Sequence, residues 1–333
     1  MRFDRAPPSS DAGPVPQTRE TQPEGGASRR LRLAKTPHYT PPMTTPDAAL
    51  QKALSLACFT APQDARILEG GITNHNVRLT DQGQAYVVRL GNDIPEHMVA
   101  RWNELSLSRT AHDIGLAPAV IHAEPGVLVL EYVDAAPLTG DDLHDPATLR
   151  AAVDMLKTLH AQGTAALRGP VLSFWVFHIL RSYAGYISAN GSAHHAVLDG
   201  LLEEAAALEA RVGPVSIMLT HNDLLPANIL RGTDRFWLID WEYGGLGSPL
   251  FDLGGLATNA GLPRAAEADM LSQYFGTPPS DTLWQSYDAM KCASLLRETM
   301  WSMVSEITST LDFDYSEYTR ENLDAYRAAY ASL

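Results

Sequence analysis

Cysteine is scarce in this chain of 333 residues, where only Cys58 and Cys292 occur. Two cysteines allow one disulfide at most, and such sparse use is more typical of a reducing compartment than of the extracellular space. We therefore expect a cytoplasmic protein.

Long apolar runs and excess positive charge are also missing. No apolar run approaches the roughly 18 residues that a membrane-spanning helix needs, so we expect no membrane span. The 25 Lys and Arg residues are outnumbered by 39 Asp and Glu residues, which gives a net charge of −14. Because phosphate contacts need clustered basic side chains, we expect no nucleic-acid partner.

The composition that remains is that of an ordinary globular protein, with 45% hydrophobic and 19% charged residues. The length of the chain is too great for one small core and indicates two lobes.

Residues 1–42 stand apart, because they are rich in proline and lack periodic apolar positions. We predict that this extension is disordered. It has no apolar segment of the secretory type, and a transit peptide is the weaker alternative.

Residues 43–133 carry mostly strand signals. Two β-rich runs flank a turn at 81–83, and two more, "PAVIHAE" and "GVLVLEYV", follow a segment that we predict as a helix from Pro95 through Glu104. Alternation places Arg89 on the same strand face as Val87. These runs are not βαβ repeats, so they predict a small, mostly antiparallel sheet with one helix packed against it.

Residues 134–333 carry mostly helix signals. A helix is predicted from Asp145 to Gly163, with Asp at the cap, Pro next and Gly at the end. Further helices are predicted near 174–189 and 194–211, and everything after about residue 249 is helical in pattern. Two strand-like runs, "VSIML" and "RFWLID", interrupt the helices. The sequence therefore predicts an α+β protein whose second lobe is larger and mostly helical.

The segment between those two runs contains polar residues at a particular spacing. Residues 219–230 are "LTHNDLLPANIL", with Asp223 and Asn228 five positions apart, and Asp240 ends the following apolar run. The first lobe adds a glycine turn, Arg89 and Glu104. Transfer of phosphate from ATP needs a carboxylate that accepts the hydroxyl proton, an amide and a carboxylate that hold Mg²⁺, and a cation that neutralises phosphate charge.

Five segments, in the same order, resemble those of choline kinases within the choline kinase and aminoglycoside phosphotransferase branch of the protein-kinase-like fold. The resemblance covers roughly residues 60–333. The matching segments are "GGITNHNV", "YVVRL", "HNDLLPANIL", "LIDWEYGGLGSPLFDLG" and "MWSMVSEITSTLDFDYSEY".

The resemblance implies a two-lobed kinase-like fold with ATP and Mg²⁺ as cofactors. Asp223 would be the catalytic base, and Asn228 and Asp240 would hold the metal. Arg89 would contact phosphate and pair with Glu104. The remaining nucleotide contacts would come from the glycine-rich loop and the segment that joins the lobes, namely Gly70, Gly71, Thr73, Asn74, Glu131 and Val133.

An aromatic pocket for a quaternary ammonium is also implied, formed by Tyr243, Trp301, Tyr315 and Tyr318. Aromatic faces hold such cations by cation–π attraction. The chain departs from the animal choline-kinase pattern at two positions, where Asn259 replaces an acidic residue and Glu298 replaces a tryptophan. Glu298 lies one helical turn below Trp301 and is the candidate for the missing negative charge.

Each of these assignments has a simpler structural alternative. Asp223 alone fits a turn cap, Arg89 a surface cation, and the aromatic residues fit core positions. We interpret His221 as a residue of the catalytic loop that orients it through hydrogen bonds, because no G-x-S-x-G motif accompanies it as a hydrolase triad would require. Glu242 fits a supporting role beside the metal and a purely structural role equally well. The glycines of 244–255 lack the pattern of a dinucleotide-binding loop.

The sequence therefore predicts a small-molecule kinase that phosphorylates choline or ethanolamine. Two alternatives stay open at this point. One is a related kinase for another cationic alcohol, such as an aminoglycoside or thiamine. The other is an inactive, kinase-shaped binding module, which would not need Asp223, Asn228 and Asp240 together.

Overall fold

A computed structural model describes residues 45–68, 74–309, 311 and 313–333. The predicted extension 1–42 lies outside the described residues. The helices are α1 Pro46–Leu54, α2 Arg101–Asp113, α3 Pro146–Ala166, α4 Val176–Ala189, α5 Leu198–Val212, α6 Pro249–Ala260, α7 Arg264–Phe275, α8 Asp281–Thr308 and α9 Tyr315–Ala331. The strands are β1 Gln63–Leu68, β2 His75–Asp81, β3 Gln84–Leu90, β4 Val120–Glu124, β5 Val127–Glu131, β6 Ala136–Pro137, β7 Met218–Thr220, β8 Ile229–Arg231, β9 Phe236–Leu238 and β10 Gly245–Gly247.

The first lobe is built on the predicted antiparallel sheet, with strand order β1-β2-β3-β5-β4. One face buries alternate apolar residues against α1, including Val77, Leu79, Val88 and Val129. The period of two along each strand sends the neighbouring side chains to the opposite face. Arg89 therefore points away from this core, toward α2.

Helix α2 begins at Arg101 and not at Pro95 as predicted. Residues Pro95–His97 form a single 3-10 turn, and Met98 follows with a left-handed φ of 58°. Such a φ ends a right-handed helix, so the chain restarts at Arg101. The later start leaves Glu104 in the first turn of α2, where it faces Arg89.

The second lobe packs around α8, whose residues are buried along most of its length. Helices α4, α5, α6 and α9 all contact it, and their apolar faces form the larger core. The prediction that α3 ends at Gly163 is wrong, because the helix continues to Ala166. At Gly163 a Cβ would lie 2.7 Å from Leu219 Cδ2, so this glycine permits close packing on β7.

Two small sheets place the loops of the second lobe. Strand β7 pairs with β10, and β8 pairs with both β6 and β9. The loop 221–228 runs from β7 to β8, and Asp240 follows β9 by two positions. Strand β6 lies in the segment after β5, where the two lobes join. Because β6 pairs with β8, this junction belongs to the same small sheet as the strand that follows the loop 221–228.

Within the described residues, no helix is long and apolar enough to cross a membrane. Cys58 is exposed and Cys292 is buried, and both are free thiols.

Candidate active site

The loop 221–228 is held by one buried carboxylate. Asp252, in the first turn of α6, accepts hydrogen bonds from the backbone N–H groups of His221 at 2.9 Å and Asn222 at 2.7 Å. The Nε2 atom of His160 lies 2.9 Å from the same carboxylate. Asn222 has a left-handed φ of 67°, and these bonds hold that uncommon conformation.

His221 connects the loop to the segment after β9. Its Nε2 lies 2.9 Å from the carbonyl oxygen of Ile239, and its ring packs edge-on against Trp241. Burial lowers the pKa of His221, so the ring is neutral. The side chain is fully buried and faces protein on all sides, which suits a residue that positions the loop.

Asp223 follows in the loop and lies beside Asn228. The Asn228 Nδ2 donates to the backbone oxygen of Asp223 at 2.9 Å and lies 3.4 Å from its Oδ2. The other carboxylate oxygen lies 3.8 Å from Arg297 Nη1. Burial raises the pKa of Asp223 to about 8, and the negative charges of Asp240 and Glu298 add to this effect against the pull of Arg297. Asp223 is therefore a stronger base than a free aspartate.

Asp240 belongs to a charge cluster that joins the two lobes and is centred on Arg89. Its carboxylate accepts a 2.6 Å hydrogen bond from Arg89 Nη2, and Arg89 Nε lies 2.6 Å from Glu104. Asp240 has a left-handed φ of 68°, which turns its side chain toward the first lobe. Burial raises the pKa of Asp240 to about 6, although the Arg89 guanidinium opposes the rise.

Glu242 completes this cluster. It is almost fully buried and accepts hydrogen bonds from Arg89 at 2.8 Å, Arg101 at 3.0 Å and Asn74 at 3.0 Å. Burial alone would raise its pKa, but Arg89 and Arg101 hold it at about 2. Glu242 is thus ionised and binds two cations of the first lobe. This contact is consistent with both roles considered for Glu242, a supporting role beside the metal and a purely structural role.

The donor set at Asn228 and Asp240 fits Mg²⁺. An amide oxygen and a carboxylate are hard oxygen ligands, and Mg²⁺ in such sites takes one or two protein ligands and fills its other positions with water and phosphate. Asn228 directs its amide nitrogen to Asp223, which leaves its amide oxygen for another partner. In the described part of the chain, no three His, Cys, Asp or Glu side chains group as metal ligands, so a protein-only metal cage is absent there.

The four predicted aromatic residues do come together. Trp301 Nε1 donates to the Tyr243 hydroxyl at 2.9 Å, and the Trp301 and Tyr315 ring centroids are 6.1 Å apart. Tyr318 reaches the same group through Phe313, whose ring lies edge-on to those of Tyr315 and Tyr318. Trp301, Tyr243 and Tyr315 are nevertheless at least 92% buried. Their contacts resemble those of core residues more than those of an open cage.

Two charged residues lie against these rings. The Arg297 guanidinium carbon is 4.3 Å from the Tyr243 ring centroid, and Arg297 Nη1 is 3.0 Å from Glu298 Oε2. The Tyr318 hydroxyl donates to Glu298 at 2.8 Å. Asn259 donates to the backbone oxygen of Leu224 at 3.1 Å, so it contacts the loop 221–228.

The predicted nucleotide contacts fall into two groups. Glu131 is the last residue of β5, and Val133 follows in the segment that leads to β6, so both lie where the lobes join. Asn74 is buried and contacts Glu242. Gly70, Gly71 and Thr73 lie outside the described residues.

Three contributors were missed in the sequence: Asp252, Arg101 and Arg297. Asp252 and Arg101 act mainly through contacts with residues at least 30 positions away, and Arg101 also pairs with Glu104 in its own helix. Arg297 directly precedes Glu298, which was named as a departure from the choline-kinase pattern, but Arg297 itself lies outside the five matching segments. The signal available in the sequence was a basic residue directly before Glu298.

Comparisons with known proteins agree with this geometry. A family model described as "Phosphotransferase enzyme family" matches residues 64–290. Protein LicA of Haemophilus influenzae is 27% identical over 266 residues, which cover 77% of this chain and 77% of LicA. Ethanolamine kinase 2 of Mus musculus is 26% identical over 284 residues, covering 77% of this chain and 73% of that protein.

The fold itself matches a solved structure. The crystal structure of a choline/ethanolamine kinase family protein from Mesorhizobium loti superposes with a TM-score of 0.70 at 24% identity. The match covers 85% of this chain and 94% of that one. The likeness confirms the predicted two-lobed, kinase-like architecture.

Proposed function

Because the chain belongs to the phosphotransferase enzyme family, we propose that it is a kinase that uses ATP and Mg²⁺ to phosphorylate the hydroxyl of choline or ethanolamine. The observation that carries this proposal is the position of Asp223. Its carboxylate lies between Asn228 on one side and Arg297, beside the aromatic group, on the other. A base in this position faces the metal ligands and the acceptor pocket together.

Asp223 is the group that accepts the proton of the acceptor hydroxyl. Its raised pKa suits this role, because a base works best when its pKa lies near the working pH. Asn228 holds the backbone oxygen of Asp223, and the carboxylate itself lies 3.4 Å from Asn228 Nδ2 and 3.8 Å from Arg297 Nη1. These contacts orient the carboxylate, so the acceptor oxygen is positioned at little entropic cost.

Arg89 and Glu104 serve the nucleotide side. Arg89 is the first-lobe cation nearest to Asp240, and Glu104 and Glu242 hold its guanidinium in place. From there it can donate to phosphate oxygens. Mg²⁺, held by Asn228 and Asp240, would supply further charge neutralisation at the phosphates.

The remaining nucleotide contacts follow from position in the chain. Gly70, Gly71, Thr73 and Asn74 would form the loop over the phosphates. Glu131 and Val133 would border the adenine at the junction of the lobes.

A cationic acceptor suits the second lobe. Asp223 lies 3.8 Å from Arg297, which stacks on the Tyr243 ring, and Glu298 accepts a hydrogen bond from the Tyr318 hydroxyl, so both carboxylates lie beside the group of rings. The similarity to proteins named as ethanolamine kinases supports a small amino alcohol over a larger cationic alcohol. An aminoglycoside or thiamine is the alternative that the test below must exclude.

The test is an ATP-consumption assay against choline, ethanolamine, thiamine and an aminoglycoside, with and without Mg²⁺. We expect Mg²⁺-dependent turnover with the two amino alcohols only. Asp223→Asn should abolish it, whereas Asp234→Asn, at an exposed turn, should not. Turnover with the larger alcohols alone, or turnover that survives in Asp223→Asn, would contradict the proposal.

A further inference from the structure

Arg297 is a buried cation inside the group of rings where a cationic head group would bind. Its side chain is 5% exposed, and it lies on the face of Tyr243. Among the described residues it is the basic side chain that contacts both Asp223 and Glu298. A kinase for cationic alcohols thus places its own cation on one wall of the acceptor pocket.

The faces of the other aromatic rings in this group are largely covered by neighbouring side chains. Trp301 is flanked by the His97 ring, whose centroid is 5.0 Å away, and by Tyr315. Its indole N–H is already bonded to Tyr243. A quaternary ammonium carries no N–H group and depends on ring faces for its binding. Because Arg297 lies on the Tyr243 ring, that ring face is not available to a quaternary ammonium.

Glu298 offers a different kind of contact. Its side chain is 29% exposed, so the carboxylate is open to a ligand. The Tyr318 hydroxyl and Arg297 Nη1 each hold one of its oxygens, which fixes its orientation. A carboxylate held in this way accepts hydrogen bonds from an ammonium that carries N–H groups, and such charge-assisted bonds are about twice as strong as neutral ones.

We propose that Arg297 is a specificity-determining residue of the acceptor pocket. By covering the face of Tyr243 and fixing Glu298, it favours an amino alcohol whose nitrogen carries N–H groups over one whose nitrogen is quaternary. Arg297 repels both kinds of cation equally by charge. Only the first kind recovers that cost through hydrogen bonds to Glu298. This inference rests on the proposed function of the site.

The test compares four acceptors that differ only in methylation of the nitrogen: ethanolamine, its N-methyl and N,N-dimethyl derivatives, and choline. We expect kcat/KM of the wild type to fall along this series, by about tenfold or more from first to last. Arg297→Met keeps the length of the side chain and removes the charge. It should shift the choline-to-ethanolamine ratio of kcat/KM toward choline by about tenfold, and the ratio cancels any loss common to both acceptors.

Two further variants sharpen the result. Glu298→Gln should raise KM for ethanolamine more than KM for choline, and it carries the test if Arg297→Met does not fold. Arg264→Met is the matched control, because Arg264 also stacks on an aromatic ring, that of Trp284, at 3.5 Å. It should leave the ratio unchanged. A flat wild-type series, or equal losses for all four acceptors in Arg297→Met, would overturn the proposal.

A binding assay separates this inference from the proposed function. Methylammonium and tetramethylammonium carry the two kinds of head group without the hydroxyl. If the wild type phosphorylates none of the four alcohols, the proposed function fails. The inference about the pocket then survives only if methylammonium raises the melting temperature more than tetramethylammonium, with the order reversed in Arg297→Met. Any other order, or no stabilisation by either ion, overturns it.

Discussion

Replacing Asp252 by Asn should distort the loop 221–228 without changing the proposed base, Asp223, itself. The carboxylate accepts from His221 N–H, Asn222 N–H and His160 Nε2. An amide oxygen in the place of Oδ2 keeps two of these contacts. Its NH₂ group then faces the N–H of Asn222, donor against donor. One charge-assisted hydrogen bond is lost and a buried N–H is left unsatisfied, which together cost about 2–4 kcal/mol of unfolding free energy.

The effect on turnover should exceed the effect on folding. Asn222 keeps its left-handed φ of 67° through its bond to Asp252, and Asp223 is the next residue. A displacement of about 1 Å at a catalytic group costs on the order of 10²-fold in rate, so we expect a loss of this size in kcat. Urea unfolding measures the first effect and steady-state kinetics the second.

Asp145→Asn is the matched control. Asp145 also accepts a backbone N–H, from Thr148 at 2.9 Å, but it is an exposed helix cap at the start of α3. Because Asn caps helices about as well as Asp, stability should change by less than about 0.5 kcal/mol. Native stability together with native turnover in Asp252→Asn would show that other contacts hold the loop.

Four further predictions follow from the site. Asp223→Ala should lower kcat by roughly 10²–10⁴-fold with little change in KM for ATP, and near-native turnover would remove Asp223 as the base. Asp240→Asn should abolish Mg²⁺-dependent turnover while the melting temperature stays close to that of the wild type; retained activity at ordinary Mg²⁺ would refute the metal assignment. Trp301→Ala should cost about 3–5 kcal/mol of stability, measured by urea unfolding, with Trp301→Phe milder; a native unfolding curve would show that the indole is not a core residue. Burial lowers the pKa of His97 from 6.5 to about 3, so the unfolded chain binds more protons between these values and stability should fall as the pH drops below 6.5, by up to about 1.4 kcal/mol per pH unit. His97→Gln should show a shallower slope of stability in that range, and equal slopes would contradict the burial argument.

Local patterns were enough to predict the elements that carry the site. Alternation placed Arg89 on the same face of β3 as Val87, and the structure shows that this face is opposite to the small core. The sequence also placed Asp223, Asn228 and Asp240 at the ends of short strands, where the structure has them. The start of α2 was missed because a left-handed residue, Met98, follows a proline that normally opens helices. Nothing in the local pattern distinguishes that turn from a first helical turn.

Side-chain contacts between segments far apart in the chain could not be predicted from such local patterns. Asp252 lies in a run that looks like the first turn of an ordinary helix, and its three partners come from two other elements. Arg297 occupies a helix position where a surface cation would fit equally well. Only the packing of α8 against the loop and Tyr243 turns it inward. The resemblance grouped the aromatic residues, and core positions stood as the alternative to a pocket, because spacing along a helix does not separate a pocket wall from a core. The structure brings the four residues together and buries Trp301, Tyr243 and Tyr315.

The charge cluster around Arg89 has a consequence for how the protein folds. The first lobe contributes Arg89, Arg101 and Glu104, with a net charge of +1, and the second contributes Asp240 and Glu242, with a net charge of −2. Either lobe alone would leave these ionised groups facing water without their partners, so the ion pairs between the lobes form only when both lobes are folded. The lobes should therefore unfold together, in one calorimetric transition, although each has its own apolar core. Expressing either half separately would yield a chain that lacks its electrostatic complement, and mixing the two halves should restore structure to both.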